Sequence, residues 1–274
     1  MLLFGTAGVP LSTKKRSTIE GVKRVRELGL DAMEIEFVRG VKMGKEMAEE
    51  VRKVAEENKV ALTAHGPYYI NLNSKEKAKV EKSKLNIYQT AVIAYIAGGT
   101  SITFHSGYYM DMKKEKVYEI VKENLKDVLK RLEEEGVKIW VRPELTGKPT
   151  QFGDLDELIR LSQELEGVLP CIDFAHLHAR YNGKYNSIEE WREVLSKLEK
   201  GLGREVLKNM HIHMSGINYS EKGERNHLNL EDSDLRYKDL LKVWKEFKIE
   251  GIVISESPNI EGDALLLKET FKRT

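Results

Sequence analysis

The chain has 274 residues and a net charge of +1, with 45 Lys and Arg against 44 Asp and Glu residues. This balance excludes a protein that coats nucleic acid by bulk charge, so any affinity for DNA must come from a local surface. The single cysteine excludes a disulfide framework, and no apolar run is long enough to span a membrane. Without a secretion-signal pattern at the amino terminus, we expect a cytoplasmic protein. Charged residues make up 32%, mostly Lys and Glu, a bias that resembles thermophile proteins.

Short β-branched runs alternate with amphipathic segments along the whole chain. The predicted strands are Leu2–Ala7, Ala32–Phe37, Val60–His65, Ser101–His105, Lys138–Glu144, Leu169–Asp173, Asn209–Met214 and Gly251–Glu256. Helical patterns begin near Ser17, Gly44, Ser74, Lys113, Asp154, Ser187, Tyr237 and Gly262. Eight strands that alternate with eight helices, with no linker rich in Pro, Gly or Ser, predict an α/β fold. We expect one (β/α)8 TIM barrel over residues 1–274.

Side chains of the metal-ligand type occur where six of the predicted strands end. They are His65, His105, Glu144, Asp173, His211 and Glu256. A single histidine at a strand end is more often a structural residue. Because active sites of such barrels lie at the carboxyl ends of the strands, we expect these six side chains to converge. Imidazole and carboxylate groups bind transition metals, so the pattern predicts a site for several ions.

Two predicted strands carry a second polar side chain of the same parity. Side chains alternate across a strand, so Cys171 and Asp173 point to one side, as do His211 and His213. We interpret Cys171 as a small buried filler. His213 is open to three interpretations: a further ligand, a support for another ligand, or a side chain that fills the barrel. His176, three residues after Asp173, adds a histidine at the barrel mouth.

Two motifs are similar to signatures of the endonuclease IV family of apurinic/apyrimidinic (AP) endonucleases. Residues 65–71, His-Gly-Pro-Tyr-Tyr-Ile-Asn, resemble the family's His-x-Pro-Tyr-x-Ile-Asn. Residues 171–176, Cys-Ile-Asp-Phe-Ala-His, resemble Cys-x-Asp-Thr-x-His, with Phe174 in place of threonine. The resemblance implies a DNA-repair endonuclease that hydrolyses the phosphodiester 5′ to abasic sites and leaves a 3′-hydroxyl. It also implies two or three Zn²⁺ ions, or Mn²⁺ or Fe²⁺ in their place.

The resemblance implies up to three ion sites. The ligands of the first would be His65, His105 and Glu144. Those of the second would be Glu144, Asp173, His211 and Glu256. Those of the third would be His176, Glu224 and His227. The family's loop after strand seven reads Asp-Arg-His, whereas this chain reads Glu-Arg-Asn-His, one residue longer, so the third site stays open. Glu144 is the expected catalytic residue, because a carboxylate shared by two ions can also orient the attacking water.

Basic and aromatic residues are interleaved in the predicted loops around the same mouth. The predicted DNA contacts are Lys14, Lys15, Arg16, Arg39 and Tyr68. Further candidates after strands four and six are Tyr108, Tyr109, His178, Arg180, Tyr181, Lys184 and Tyr185. Such side chains suit phosphate contacts and base stacking. In the resembling family the tyrosine that matches Tyr68 enters the DNA beside the flipped abasic nucleotide. The predicted partner is damaged duplex DNA, bound by a monomer, with no membrane partner.

Glu36 favours a different function. An inward carboxylate at the end of the second strand is more typical of the xylose-isomerase-like sugar isomerases and epimerases, which share the barrel and use fewer metals. Glu144 and Glu256 would serve such an enzyme too, but the histidines of the first and third sites would not be required together. A sugar or sugar-phosphate isomerase or epimerase is therefore the alternative. A non-catalytic nucleic-acid binder is a third hypothesis, and it would not need so many converging ligands.

Overall fold

The computed structural model describes residues 1–274, and its strands confirm the predicted (β/α)8 barrel. In chain order the strands are β1 (Leu2–Ala7), β2 (Ala32–Glu36), β3 (Ala61–His65), β4 (Ser101–Phe104), β5 (Trp140–Pro143), β6 (Cys171–Asp173), β7 (Met210–Met214), β8 (Gly216–Ser220), β9 (Gly223–Leu228) and β10 (Gly251–Ser255). Eight of them form a parallel sheet in the order β5-β4-β3-β2-β1-β10-β7-β6. Parallel bridges Val141–Val168 and Glu144–Cys171 connect the two edges, so the sheet is closed.

Nine α-helices surround the barrel, one more than predicted. They are α1 (Thr18–Glu27), α2 (Lys45–Asn58), α3 (Lys77–Ile96), α4 (Lys114–Glu134), α5 (Leu155–Glu164), α6 (Phe174–Arg180), α7 (Ile188–Leu202), α8 (Tyr237–Glu246) and α9 (Glu261–Arg273). The additional helix, α6, follows β6 without a loop. Ser187 and Glu190 cap α7 reciprocally, as the capping-box pattern predicts. None of these helices has both the length and the apolar character needed to cross a membrane.

The core has an apolar part and a polar part. One cluster of 65 buried hydrophobic residues packs the helices against the outside of the barrel. The carboxyl end of the barrel interior is instead filled by buried polar side chains. They include Glu34, Thr63, His65, Glu144, Asp173, His211 and His213. Burying so many ionisable groups is unfavourable unless each has a partner, so this end of the barrel is where a function is expected.

The connection after β7 contains two short strands. β8 and β9 pair as an antiparallel hairpin that projects from the barrel mouth. Leu230–Asp232 then forms a short 3-10 helix before α8. A hairpin holds side chains on a defined face, so this connection can position functional groups as a rigid element does.

Candidate metal centre

The first cluster joins the ends of β3, β4 and β5. Glu144 Oε2 lies 3.2 Å from His65 Nε2 and 3.1 Å from His105 Nε2. His65 Nδ1 lies 2.7 Å from the carbonyl oxygen of Gly66, which accepts a hydrogen bond when Nδ1 carries the proton. That tautomer leaves the Nε2 lone pair directed at Glu144. A histidine whose far nitrogen donates to a backbone carbonyl has the usual orientation of a metal ligand.

The second cluster lies on the other side of the same carboxylate. Glu144 Oε1 lies 3.2 Å from His213 Nδ1, and Glu256 Oε2 lies 3.3 Å from that nitrogen. Asp173 completes the group, in which the candidate ligand atoms lie within 4.8 Å of one another. Glu144 therefore directs one oxygen to each cluster, which is the placement required of a bridging carboxylate.

His213, not His211, is the β7 residue in this second cluster, whereas the sequence predicts His211 there. Across the pairing of β6 with β7, Asp173 is opposite His213 and Cys171 is opposite His211. His211 therefore lies one layer deeper, where Glu34 Oε2 lies 2.7 Å from its Nε2 and Ser101 Oγ lies 2.8 Å from its Nδ1. Both of its nitrogens already have partners. Alternation along β7 gives the two histidines the same face, so only the register with β6 distinguishes them.

The third cluster brings together His176, Glu224 and His227, as predicted. Glu224 lies 3.5 Å from His176 Nε2 through Oε2 and 3.6 Å from His227 Nε2 through Oε1. The Nδ1 atoms of these histidines lie 2.9 Å and 3.1 Å from the carbonyl oxygens of Leu145 and Glu256. In both rings Nε2 is therefore left to face Glu224. This third group contacts the second, because His176 Nδ1 lies 3.3 Å from Asp173 Oδ2.

A β-bulge explains how the longer spacing in the third cluster is accommodated. On a regular strand, residues three apart such as Glu224 and His227 point to opposite faces. In the hairpin, Tyr219 pairs with Glu224 and Asn218 with Asn226, which leaves Arg225 unpaired. One extra residue on one strand is a bulge. It shifts the alternation of side chains by one residue, so that residues three apart across the bulge point to the same face. Glu224 and His227 consequently share a face.

Gly147 makes room for the third cluster. A Cβ atom at this position would lie 2.6 Å from Glu224 Oε2, 2.8 Å from Glu224 Cβ and 3.0 Å from His176 Cδ2. We expect Gly147→Ala to displace Glu224 and to reduce bound Zn²⁺ by one ion per chain, with the other two sites intact. Metal analysis after dialysis checks this result, with Gly44→Ala as the control, because Gly44 has open space around it and a negative φ. An unchanged ion count in Gly147→Ala would contradict the assignment of this cluster.

Several buried polar atoms of the site have no hydrogen-bond partner in the protein. They include Asp173 Oδ2, His176 Nε2 and Glu36 Oε1. Burial raises the pKa of Asp173 to about 7 and that of Glu36 to about 8. Burial opposes ionisation of Glu144 too, but the neighbouring His105 and His213 hold its pKa well below the usual range. Carboxylate oxygens and imidazole nitrogens aimed at one another in this way fit divalent transition-metal ions.

The predicted contact residues lie around the mouth that leads to these clusters. Tyr68 is 63% exposed. Its ring and the ring of His65 lie edge to face, with their centroids 5.7 Å apart. The side chains of Lys14, Lys15, Arg16 and Arg39 are exposed as well. A groove of about 880 Å³ is lined by Lys15, Arg16 and Arg39, and Glu36 also borders it. The mouth thus combines exposed cations and an exposed aromatic ring beside a candidate ligand.

Three of the further rim candidates are buried instead. His178 lies 2.9 Å from Asp234 and 3.0 Å from the carbonyl oxygen of Lys184. Arg180 donates to Thr146 Oγ1 at 2.8 Å and to the Tyr109 hydroxyl at 3.2 Å. These side chains support loops from within, so their prediction as exposed contacts is wrong. Asp234, Thr146 and Tyr109 are distant in sequence from the side chains they contact, so local composition gives no signal of these contacts.

Glu36 and Glu34 both point into the barrel from β2. Glu36 pairs in register with His65, and its Oε1 atom is buried without a partner. It lies outside the three ligand clusters. Glu34, two residues earlier, is completely buried beneath them and was not singled out by the sequence patterns. The only local indication of this burial is the position of Glu34 two residues before Glu36, which places both side chains on the same side of β2.

Comparison with known proteins shows what the whole chain is similar to. The chain is 45% identical to an uncharacterized protein of Methanocaldococcus jannaschii, over 99% of this chain and 97% of that one. It is 26% identical to a protein of Halalkalibacterium halodurans named probable endonuclease 4, over 77% of this chain and 70% of that one. The crystal structure of endonuclease IV from Thermus thermophilus has a TM-score of 0.76 and 21% identity, and covers 98% of this chain and 100% of that one.

A sugar-epimerase fold is equally similar. The crystal structure of a D-tagatose 3-epimerase-like protein has a TM-score of 0.74 and 19% identity, and covers 98% of this chain and 96% of that one. At such identities the two structures show the fold alone. The family model described as xylose isomerase-like TIM barrel matches residues 22–273. The chain therefore belongs to the xylose isomerase-like TIM barrel family.

Proposed function

We propose that this protein is a metal-dependent endonuclease that hydrolyses the phosphodiester 5′ to abasic sites in duplex DNA. The observation that carries the proposal is the presence of three adjoining ligand clusters, connected by Glu144 and by the contact of His176 with Asp173. A single-ion enzyme would need only one of them. The distant relative named probable endonuclease 4 supports the same activity.

The bound ions would lower the pKa of the attacking water and stabilise charge on the phosphate oxygens. The protein's own residues would hold and orient the reacting groups. Glu144 fixes the first and second clusters relative to each other, because each of its oxygens faces one of them. The exposed cations at the mouth suit contacts with the DNA phosphates on either side of the abasic nucleotide. An abasic nucleotide lacks stacking and pairing, so it is extruded at lower cost than an intact one.

The test is incision of an end-labelled duplex that carries one tetrahydrofuran abasic analogue, with protein loaded with Zn²⁺. We expect a single cut 5′ to the analogue, with a 3′-hydroxyl that a polymerase can extend. The intact duplex and chelator-treated protein are the controls, and neither should give product. Absence of incision by protein that holds three ions per chain would refute the proposed activity.

Tyr68 has a separate expected effect on substrate binding. Because its ring is exposed at the mouth beside His65, we expect Tyr68→Ala to remove a stacking contact of about 1–3 kcal/mol, which is a rise in KM of roughly 5- to 150-fold. The metal content should not change. Steady-state kinetics on the abasic duplex measure the effect. Tyr95→Ala is the matched control, because Tyr95 is an exposed tyrosine near the carboxyl end of α3, on the opposite side of the barrel.

A sugar or sugar-phosphate epimerase or isomerase is the second candidate. The cluster of Glu144, Asp173, His213 and Glu256 alone could hold one ion, and Glu36 adds an unpartnered carboxylate at the mouth. Such an enzyme would turn over ketoses or their phosphates, and His227→Ala would leave that turnover intact. The endonuclease should lose incision in the same variant. A panel of ketoses assayed with wild-type and His227→Ala protein separates the two candidates.

A further inference from the structure

A network of buried polar side chains lies directly beneath the candidate metal centre. It comprises Glu34, Thr63, Ser101, His211 and His213, none more than 2% exposed. They come from β2, β3, β4 and β7, so the network spans the inside of the barrel. Hydrogen bonds connect Glu34, Thr63, Ser101 and His211, and such networks hold their members in one arrangement.

Two contacts fix one oxygen of Glu34. Thr63 Oγ1 donates a hydrogen bond to Oε2 at 2.7 Å, and His211 Nε2 lies 2.7 Å from the same oxygen. Ser101 Oγ lies 2.8 Å from His211 Nδ1, so the His211 ring is held at both nitrogens. The carboxylate plane of Glu34 is therefore set from below. Its other oxygen, Oε1, faces upward to His213 Nε2 at 2.8 Å.

This last contact determines which nitrogen of His213 is available to a metal. A buried carboxylate oxygen 2.8 Å from Nε2 favours the tautomer with the proton on Nε2. The contact is a close electrostatic one and not a hydrogen bond. With the proton on Nε2, the Nδ1 lone pair points towards Glu144 and Glu256, at 3.2 Å and 3.3 Å from their oxygens.

We propose that Glu34 is a positioning residue that holds His213 as the Nδ1 ligand of the second ion. The inference rests on the second ion site of the proposed function, but not on the identity of the substrate. A carboxylate that pairs with the far nitrogen of a ligand histidine fixes the ring orientation and increases its basicity. Glu34 would do this from inside the barrel, where the approach of water is blocked by the layer of His211 and Thr63.

The same region offers one competing arrangement. Cys171, His211 and His213 also lie close enough together to hold an ion. Both nitrogens of His211 are already engaged by Glu34 and Ser101, so neither is free to bind an ion. We therefore place the ion above His213 and not below it.

The experiment compares Zn²⁺ binding in Glu34 variants by chelator competition and metal analysis. Glu34→Met keeps the side-chain length without an acceptor, and we expect one of three ions to bind about 10- to 100-fold more weakly. Glu34→Gln retains one acceptor oxygen, so its affinity for this ion should fall less than that of Glu34→Met. Cys171→Ala is the matched control: it removes a neighbouring polar group but leaves the contact of Glu34 with His213. This variant should hold three ions with wild-type affinity.

The outcomes separate a positioning role from a structural one. If folded Glu34→Met binds all three ions with unchanged affinity, the proposal is overturned, whatever happens to its melting temperature. Loss of one ion in Cys171→Ala would assign that ion to the buried thiol and would also overturn it. Should Glu34→Met not fold, ¹⁵N NMR of Zn²⁺-loaded wild-type protein decides, since we require the proton on Nε2 of His213. Failure of DNA incision alone would refute the proposed activity and leave the metal result standing.

Discussion

Glu144→Gln is expected to reduce cleavage of abasic DNA by about 10³-fold or more, because Glu144 is the one side chain that two of the three clusters share. Its Oε2 faces His65 and His105, and its Oε1 faces His213. Glutamine has similar size but offers one oxygen and no charge, so it can complete only one of the two sites. The single-turnover rate on the tetrahydrofuran duplex, at saturating Zn²⁺, measures the loss.

A matched control tests whether the loss is specific to the site. Glu157 is another buried carboxylate, but it accepts hydrogen bonds from Tyr109 and from the start of α5. We expect Glu157→Gln to lower the melting temperature and to keep the cleavage rate per folded molecule. If Glu144→Gln instead cleaves at the wild-type rate, the bridging role of this carboxylate is excluded.

Zn²⁺ binding should weaken steeply as the pH falls, and this is the second large effect. Burial opposes protonation of His65 and His227, but carboxylate partners prevail. Contact with Glu144 raises the pKa of His65 to about 10, and contact with Glu224 raises that of His227 to about 9. In the metal-free protein both rings are therefore protonated at pH 7, and an ion must displace each proton. Below pH 9 the first site should lose about tenfold in affinity per pH unit, and the third site more, because Asp173 and Glu224 raise the pKa of His176 against the effect of burial.

Metal-buffered titrations between pH 6 and pH 9 measure this slope, and calorimetry in two buffers of different ionisation enthalpy counts the released protons. The same shift has the opposite consequence for the metal-free fold. A raised folded-state pKa stabilises the fold below the unfolded value of 6.5, and for His65 that contribution is lost as the pH rises through about 10. Affinity that does not change with pH would show that these imidazoles are neutral before the metal binds.

Much of the barrel could be predicted because strand and helix patterns are local. The strand ends that carry His65, Asp173 and Glu256 could be identified in the same way, since parallel strands present their carboxyl ends on one face. The choice between His211 and His213 could not be made from strand patterns, because it depends on the register of β7 with β6. Periodicity determines the face of a side chain, not its depth in the barrel.

The burial of individual polar groups could not be predicted from local patterns either. Arg180 is typical of an exposed loop by composition, yet its guanidinium is held by Thr146 and Tyr109 from distant segments. Glu34 is buried for a similar reason, since its partners come from other strands. Damaged DNA as the partner, and action as a monomer, stay predictions.

The bulge at Arg225 means that the spacing of a ligand pair on a hairpin is not fixed by the chemistry of the pair. A strand with one residue between its ligands, and a bulged strand with two, both present them on the same side. A search pattern written with a single allowed gap would therefore pass over chains that build the same cluster. Removing one residue at the bulge by deletion mutagenesis should leave a working pair, so this hairpin offers a place where backbone length can vary without loss of a ligand.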